Sequence, residues 1–350
     1  MTKTAIVDLT GPEITAEEKK ILEHPCVAGV ILFERNVVQY HRESLIHLTQ
    51  TLHDMRPDMF IMTDHEGGNV QRFRRMGFRP LMSAGSIGRA YALNPEVELQ
   101  LAYQEGQAMA KDLLDAGIDL SLAPVIDLET NQCSIIGGLD RAFHQDPEHI
   151  TRLAQSYIEG MHTMHMPAVG KHFPGHGSCE GDSHRTLPVL DKTREALDKT
   201  DLKPFIELIH RNVLDAIMPA HVVYPAIDRD YATTYSSTWL HTILRDELSF
   251  KGIVISDCLG MKGADIGTLS ERAERALEAG CDLLIVANQP RSTLAALLNT
   301  LPNHAHRDTA LDRFKSKMAR FNGNLISSQV KTTPSMTQEN FDPQNPTETV

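Results

Sequence analysis

The sequence predicts an α/β protein, specifically a single (β/α)8 barrel of the TIM type with irregular strands. Short runs rich in Val, Ile and Leu recur along the 350 residues, and a longer segment with helical periodicity follows each of them. The runs are apolar throughout instead of alternating with polar residues, which is typical of strands buried on both faces of a parallel sheet. A chain of 350 residues suits one such barrel with modest additions.

Eight of these runs are predicted to be strands. In chain order they are Thr4–Leu9, Val27–Phe33, Met59–Thr63, Leu120–Val125, Ala168–His172, Ala216–Pro219, Gly252–Ser256 and Leu283–Ala287. Their alternation with helical segments favours a closed parallel barrel. A doubly wound open sheet is the alternative. Its dinucleotide-binding version is weakened because no GxGxxG motif follows the first run.

Capping signals mark where three of the helices begin. Thr15 and Glu18 form a capping box. The pairs Asn94-Pro95 and Asp146-Pro147 each place a capping side chain before a proline at the first helical position. Apolar residues then recur on one face of each segment, which indicates helices that pack against a core.

The chain divides into a predicted catalytic barrel, residues 1–323, and a polar C-terminal tail, residues 324–350. The tail shows neither helical nor alternating periodicity. A segment of this kind cannot bury enough apolar surface to fold by itself, so we expect it to be flexible.

Composition and charge exclude several classes of function. Lys and Arg total 34 against 46 Asp and Glu, so the formal charge is −12. An acidic surface repels phosphate backbones and anionic lipids, and we therefore expect no nucleic-acid partner. No apolar run approaches about 18 residues, and the N-terminus lacks the features of a secretory signal, so we expect no membrane insertion.

The five cysteines are scattered and contain no CxxC pair, which predicts free thiols in a reducing compartment. We expect a cytoplasmic monomer without a metal or other cofactor.

Polar side chains follow five consecutive predicted strands, the third to the seventh. Active sites of barrels lie at the C-terminal ends of the strands, so these residues predict one polar pocket. They are Asp64-His65-Glu66, Asp127, Lys171-His172, His221 and Asp257.

The loop after the fifth strand has the features of a mobile catalytic loop. Gly175, Gly177 and Gly181 give its backbone unusual freedom. Asp182 and His184 stand two residues apart, and in an extended segment such side chains share one side. Asp182 would then fix the tautomer of His184 and make it a competent general acid and base. A surface pair in a flexible loop is the alternative.

Asp257 follows an apolar run directly, which suits a nucleophile, a metal ligand or the N-cap of the next helix. Other residues near the strand ends offer charges or forked donors that suit sugar hydroxyls. They are Asp64, Arg72, Arg141, Lys171 and His172.

Several blocks of the sequence resemble glycoside hydrolase family three, in its bacterial β-N-acetylhexosaminidase branch. The blocks are Lys171-His172-Phe173-Pro174-Gly175-His176-Gly177 with Asp182-Ser183-His184, Asp64-His65-Glu66-Gly67-Gly68, Asp140-Arg141-Ala142-Phe143, Met218-Pro219-Ala220-His221 and Ser256-Asp257. The resemblance implies a retaining, cytoplasmic, single-domain barrel that acts on muropeptides in peptidoglycan recycling. The implied substrate is a terminal N-acetylglucosamine linked to anhydro-N-acetylmuramic acid.

The resemblance also implies roles for single residues. Asp257 matches the nucleophile and His184 the acid/base, with Asp182 as its partner. The residues that match sugar-binding positions are Asp64, Arg72, Arg141, Lys171 and His172.

Three other functions remain open from the residues. A phosphorylase would use the same site and release a sugar phosphate in phosphate buffer. A sugar-binding protein without activity is weakened because all the reacting residues are present. A metal-dependent hydrolase is opposed by Lys171, which would repel a cation. The metal ligands of such a hydrolase would come from His172, His176, His184, His221 and Asp257.

Overall fold

The computed structural model describes residues 3–38, 41–75, 77–91, 94–130, 132–183, 185–301 and 307–321. The predicted tail, residues 324–350, lies outside the described residues. Within the described part of the chain the strands are β1 (Ala5–Asp8), β2 (Val27–Leu32), β3 (Phe60–Thr63), β4 (His65–Gly67), β5 (Val70–Gln71), β6 (Leu120–Ser121), β7 (Val169–Phe173), β8 (Ala216–Pro219), β9 (Val223–Tyr224), β10 (Asp228–Ala232), β11 (Ile253–Val254) and β12 (Leu284–Val286).

The strands form two parallel sheets and two small antiparallel pairs. The larger parallel sheet has the order β12-β1-β2-β3-β6, and the smaller one has the order β11-β8-β7. The antiparallel pairs are β4 with β5 and β9 with β10. Each of the eight predicted runs contains one strand of the parallel sheets, so the predicted α/β class with parallel strands is confirmed.

A single closed barrel is not confirmed, because the hydrogen-bond ladder between the two sheets is interrupted. Among the described residues the facing edges share isolated parallel bridges, Val125 with Lys171 and Ile255 with Leu283, and single backbone hydrogen bonds beside them. The interruption has a local cause on the first edge: Pro124 lies beside the bridge and has no amide hydrogen to donate.

The helices follow the strands as predicted. They are α1 (Ala16–Leu22), α2 (Arg42–Met55), α3 (Ala84–Tyr91), α4 (Pro95–Leu114), α5 (Pro147–Thr163), α6 (Arg194–Lys199), α7 (Lys203–His210), α8 (Leu269–Ala279), α9 (Arg291–Thr300) and α10 (Arg307–Lys315), with further helical segments that are not α-helical at Glu34–Asn36, Thr233–Tyr235, Thr238–Glu247 and Lys262–Ala264. The three predicted starts are confirmed: Thr15 caps α1 in a capping box, Asn94 caps α4 and Asp146 caps α5. None of the helices described is both long and apolar enough to cross a membrane.

All five cysteines are free thiols, as the sequence predicts. Four of them are buried, and Cys258 is partly exposed.

The C-terminal segment, residues 307–321, closes the end of the fold at which the strands begin. Phe314 inserts among the apolar residues of the parallel strands, and its ring meets Phe60 edge-on with centroids 6.4 Å apart. Polar contacts hold the segment at its margin, where Lys315 Nζ donates to the carbonyl of Asp58 and Arg320 Nε lies 2.9 Å from Asp119 Oδ1. The opposite end of the strands, where the polar residues stand, is left open.

We predict that Phe314→Ala destabilises the protein by about 3–5 kcal/mol, because it removes a buried ring and leaves a cavity. Urea unfolding followed by circular dichroism measures the change. Arg313→Ala, one residue away and exposed, should stay within about 0.5 kcal/mol of the wild type. Equal stabilities of the two variants would show that the segment does not contribute to the core.

Candidate active site

A cavity of about 710 Å³ opens at the C-terminal ends of the parallel strands. It gathers side chains that lie in or just after β2, β3, β6, β7, β8, β11 and β12, and it is large enough for a small-molecule ligand. His184 lies outside the described residues. The structure brings the other predicted site residues to the wall of this one cavity: Asp64, Arg72, Arg141, Lys171, His172, Asp182 and Asp257.

Three cations and two carboxylates form an ion-pair network on one wall. Arg141 Nε and Nη2 each donate to Glu66 at 2.8 Å. Lys171 Nζ lies 2.6 Å from Glu66 Oε1 and 3.2 Å from Asp64 Oδ1. Arg72 Nη2 lies 3.0 Å from Asp64 Oδ2. The network therefore carries one positive charge in excess.

The pKa values of Asp64, Glu66 and Arg141 keep these three groups charged at neutral pH. Burial alone would raise the pKa of Asp64, but Lys171 and Arg72 outweigh it and hold that pKa below its usual range. Burial acts in the same way on Glu66, and there Arg141 and Lys171 lower the pKa to about 2. Burial lowers the pKa of Arg141, but Glu66 more than compensates and raises it.

Glu66 is the residue at this site whose role the sequence analysis missed. Its side chain is 6% exposed and is the shared partner of Arg141 and Lys171. A signal was present, because Asp64 and Glu66 stand two residues apart where β3 gives way to β4, and residues at that spacing in a strand face the same side. The sequence did not show which cations would meet this side.

Asp127 is a second buried carboxylate with a role that the sequence did not reveal. Its Oδ2 accepts from His172 Nδ1 at 2.7 Å, and its Oδ1 accepts from the backbone N–H groups of His172 at 3.0 Å and His176 at 2.8 Å. Burial would raise the pKa of Asp127, but His172, His176 and these hydrogen bonds lower it. Burial lowers the pKa of His176 to about 4, so that ring is neutral at pH 7.

Asp257 follows β11 and is partly buried at the cavity wall. Its Oδ1 accepts from the backbone N–H of Cys258 at 2.7 Å. The N-cap alternative is wrong for the described helices, because the next two helical segments are preceded by Met261 and Thr268. The carboxylate therefore faces the cavity without capping a helix.

The loop after β7 turns at Asp182 instead of extending. The carbonyl of Asp182 accepts from the N–H groups of Arg185 and Thr186, both at 2.9 Å. The expectation of an extended segment was therefore wrong at Asp182. The pairing of Asp182 with His184, which lies outside the described residues, stays a prediction. The loop is tied to the segment after β11 because the N–H of Gly263 donates to the carbonyl of Ser183 at 2.8 Å.

The described residues provide no obvious metal site. No group of three or more His, Cys, Asp or Glu within them is arranged to hold an ion. The histidines of the metal hypothesis that are described each use Nδ1 elsewhere. His172 pairs with Asp127, His176 lies 3.5 Å from the Cys133 sulfur, and His221 lies 3.0 Å from the Thr234 hydroxyl.

Comparison with known proteins gives concordant matches. Residues 1–321 match the glycosyl hydrolase family 3 N terminal domain. A β-hexosaminidase of Nitrosospira multiformis is 44% identical over 289 residues, which cover 82% of this chain and 81% of the relative. One from Tolumonas auensis is 46% identical over 301 residues, which cover 85% and 86%. The crystal structure of NagZ from Neisseria gonorrhoeae in complex with N-trifluoroacetyl-D-glucosamine is 37% identical, with a TM-score of 0.82, and the match covers 90% of this chain and 89% of that one.

We predict that Glu66→Gln destabilises the protein by about 3 kcal/mol at pH 7, because two buried cations lose their shared partner. The folded-state pKa of Glu66, about 2, lies below its ordinary value of 4.5. Its contribution is therefore complete above pH 4.5 and is lost as the pH falls through about 2. The stability difference between wild type and variant should shrink over that window.

Urea unfolding at a series of pH values measures this difference. Glu13→Gln, at an exposed position, should stay within about 0.5 kcal/mol of the wild type throughout. A difference between wild type and Glu66→Gln that stayed constant down to pH 2 would contradict the assigned pKa.

Proposed function

Because the chain belongs to glycosyl hydrolase family 3, we propose that it is a retaining exo-β-N-acetylglucosaminidase that acts on muropeptides from peptidoglycan. It hydrolyses a terminal β-linked N-acetylglucosamine, and the usual substrate carries this sugar on anhydro-N-acetylmuramic acid. The β-hexosaminidase relatives and the N-acylated glucosamine bound by the gonococcal NagZ support the sugar specificity. The single observation that carries the proposal is that Asp257 lines the same cavity as charged residues suited to sugar hydroxyls, namely Asp64, Arg72, Arg141 and Lys171.

Asp257 is the proposed nucleophile. In the first step its carboxylate oxygen attacks C1 of the sugar, the bond from C1 to the leaving oxygen breaks, and His184 gives its proton to that oxygen. In the second step water attacks C1, the bond to Asp257 breaks, and His184 takes the proton of the water. Asp182 is the proposed partner of His184. The partly exposed carboxylate of Asp257 at the cavity wall supports the first role.

The ion-pair network is the proposed binding site for the sugar hydroxyls. Arg72, Arg141 and Lys171 are donors, and Asp64 is an acceptor, so together they match hydroxyls that both donate and accept. Since Arg141 and Lys171 are nearly buried and held by Glu66, their donors are fixed before the substrate arrives. His172 is the fifth sugar-binding residue.

The architecture and setting complete the proposal. The two parallel sheets form one irregular barrel, which is supported by N–H bonds from Val169 to the Ala123 carbonyl and from Ser256 to the Leu283 carbonyl, both at 2.8 Å. Residues 1–323 are the catalytic domain and residues 324–350 a flexible tail. We further propose a cytoplasmic monomer that serves peptidoglycan recycling without a cofactor.

We predict that a slowly hydrolysed fluorinated N-acetylglucosamine analogue labels Asp257, since the glycosyl ester accumulates when its hydrolysis is slow. Digestion and peptide mass spectrometry locate the label. The variant Asp257→Asn should stay unlabelled, whereas Asp230→Asn, at an exposed position, should be labelled like the wild type. A label on another peptide would refute the assignment of Asp257 as the nucleophile.

We predict that His184→Gly lowers kcat/KM about 10²–10⁴-fold for a disaccharide with a poor leaving group, because that oxygen needs a proton. The loss should be much smaller for an aryl glycoside whose leaving group departs unprotonated. Steady-state kinetics on both substrates measure the contrast. Glu180→Gln, in the same loop and exposed, should leave both rates unchanged. Equal losses on the two substrates would argue against a role in acid catalysis.

A further inference from the structure

Asp127 determines which ring nitrogen of His172 carries a proton in their contact. The carboxylate is fully buried, and its hydrogen-bond partners among the described residues are N–H groups of two residues: the His172 ring, the His172 backbone and the His176 backbone. Its lowered pKa keeps it ionised at neutral pH, so it has no proton to donate. The proton between Asp127 Oδ2 and His172 Nδ1, 2.7 Å apart, therefore lies on the histidine.

The other ring nitrogen of His172 faces the cavity. His172 lines the cavity, and its ring is 9% exposed although Nδ1 is turned to a buried carboxylate. Nε2 lies on the opposite side of the ring from that contact, and no hydrogen bond from it to a described residue occurs. With the ring proton held on Nδ1 by Asp127, Nε2 is the nitrogen that the ring presents to a ligand.

We infer that Asp127 is a positioning residue that keeps the ring proton of His172 on Nδ1 and leaves Nε2 as the acceptor of a hydrogen bond from a hydroxyl of the substrate. The inference rests on the proposed function and deepens it. It reverses the role expected from the sequence, in which His172 was a donor. The neighbouring Lys171 ammonium only donates hydrogen bonds, so the two adjacent residues together suit sugar hydroxyls, which both donate and accept hydrogen bonds.

The backbone makes this arrangement rigid. Asp127 Oδ1 accepts N–H groups from both ends of the segment His172–His176 while Oδ2 holds the ring. Rotating the carboxylate to release the ring would leave two buried N–H groups without a partner, which is costly. The substrate therefore meets a preset acceptor instead of a ring that adjusts to it.

The variant Asp127→Asn tests the inference because it keeps the shape of the side chain and replaces one acceptor oxygen by an NH₂ donor. The amide oxygen still accepts from the two backbone N–H groups, and the NH₂ group now donates to His172 Nδ1. The ring is then forced to carry its proton on Nε2, which becomes a donor.

Nitrogen NMR of the protein with ¹⁵N-labelled histidine gives the first readout. We expect the His172 signals of the wild type to be those of a neutral ring protonated on Nδ1, and those of Asp127→Asn to be those of the opposite tautomer. His172→Phe assigns the signals. A wild-type ring that is an imidazolium at pH 7, or that is protonated on Nε2, overturns the inference. This measurement needs no substrate.

Kinetics with deoxyfluoro substrates give the second readout. N-acetylglucosaminides with fluorine in turn at C3, C4 and C6 lose the ability to donate at that position, whereas fluorine can still accept weakly. We expect one analogue to lose about 10²-fold or more in kcat/KM with the wild type, and this penalty to shrink at least about tenfold in Asp127→Asn. Asp191→Asn, at an exposed position, should retain the wild-type pattern.

The outcomes separate the two proposals. A wild type that hydrolyses no N-acetylglucosaminide refutes the proposed function, while the NMR result still decides the tautomer. A wild type that hydrolyses them, with an Asp127→Asn variant that slows every analogue by one common factor, refutes the positioning role alone. Should Asp127→Asn fail to fold, the wild-type spectrum by itself still decides the inference.

Discussion

The buried pairing of Arg141 and Lys171 with Glu66 is the constraint on which the site depends. A cation taken out of water requires a partner of opposite charge, and here one carboxylate serves two cations that come from different parts of the chain. Glu66 lies in β4, Lys171 in β7 and Arg141 in the loop before α5, so the pairing fixes three separate segments relative to one another. Such a network adds little net stability compared with an apolar core, but it presents donors in fixed positions.

Two carboxylates that never need to touch a ligand therefore organise this end of the fold. Glu66 holds cations, and Asp127 holds a histidine ring and two backbone N–H groups. Both follow strands of the larger parallel sheet, and both reach across to residues of β7 in the smaller one. The two sheets are joined by few backbone bridges, so these side-chain contacts between them determine where Lys171 and His172 stand.

Local patterns in the sequence predicted what local physics determines. Continuous apolar runs predicted the eight parallel strands, and capping residues such as Thr15 predicted helix starts, because both signals act within a few residues. The partner of Glu66 could not be predicted in this way, since Arg141 lies 75 residues further along the chain. The turn after Asp182 was missed because a loop with several glycines has no periodicity to read. The interruption of the hydrogen-bond ladder between the two sheets was also not predicted, because it depends on how far each short strand extends.

The charge balance of the cavity bears on the second step of the proposed reaction. Arg72, Arg141 and Lys171 exceed Asp64 and Glu66 by one positive charge, and the Asp257 carboxylate offsets that excess while it is free. When Asp257 becomes a glycosyl ester it loses its negative charge. The excess positive charge of the ion-pair network is then uncompensated. In the proposed second step hydrolysis of the ester restores the carboxylate, so the cations that are proposed to hold the sugar hydroxyls also favour release of the nucleophile. Glu66 moderates this effect, because without its charge the excess would be two, and a neutral sugar would face a cavity that attracts anions instead.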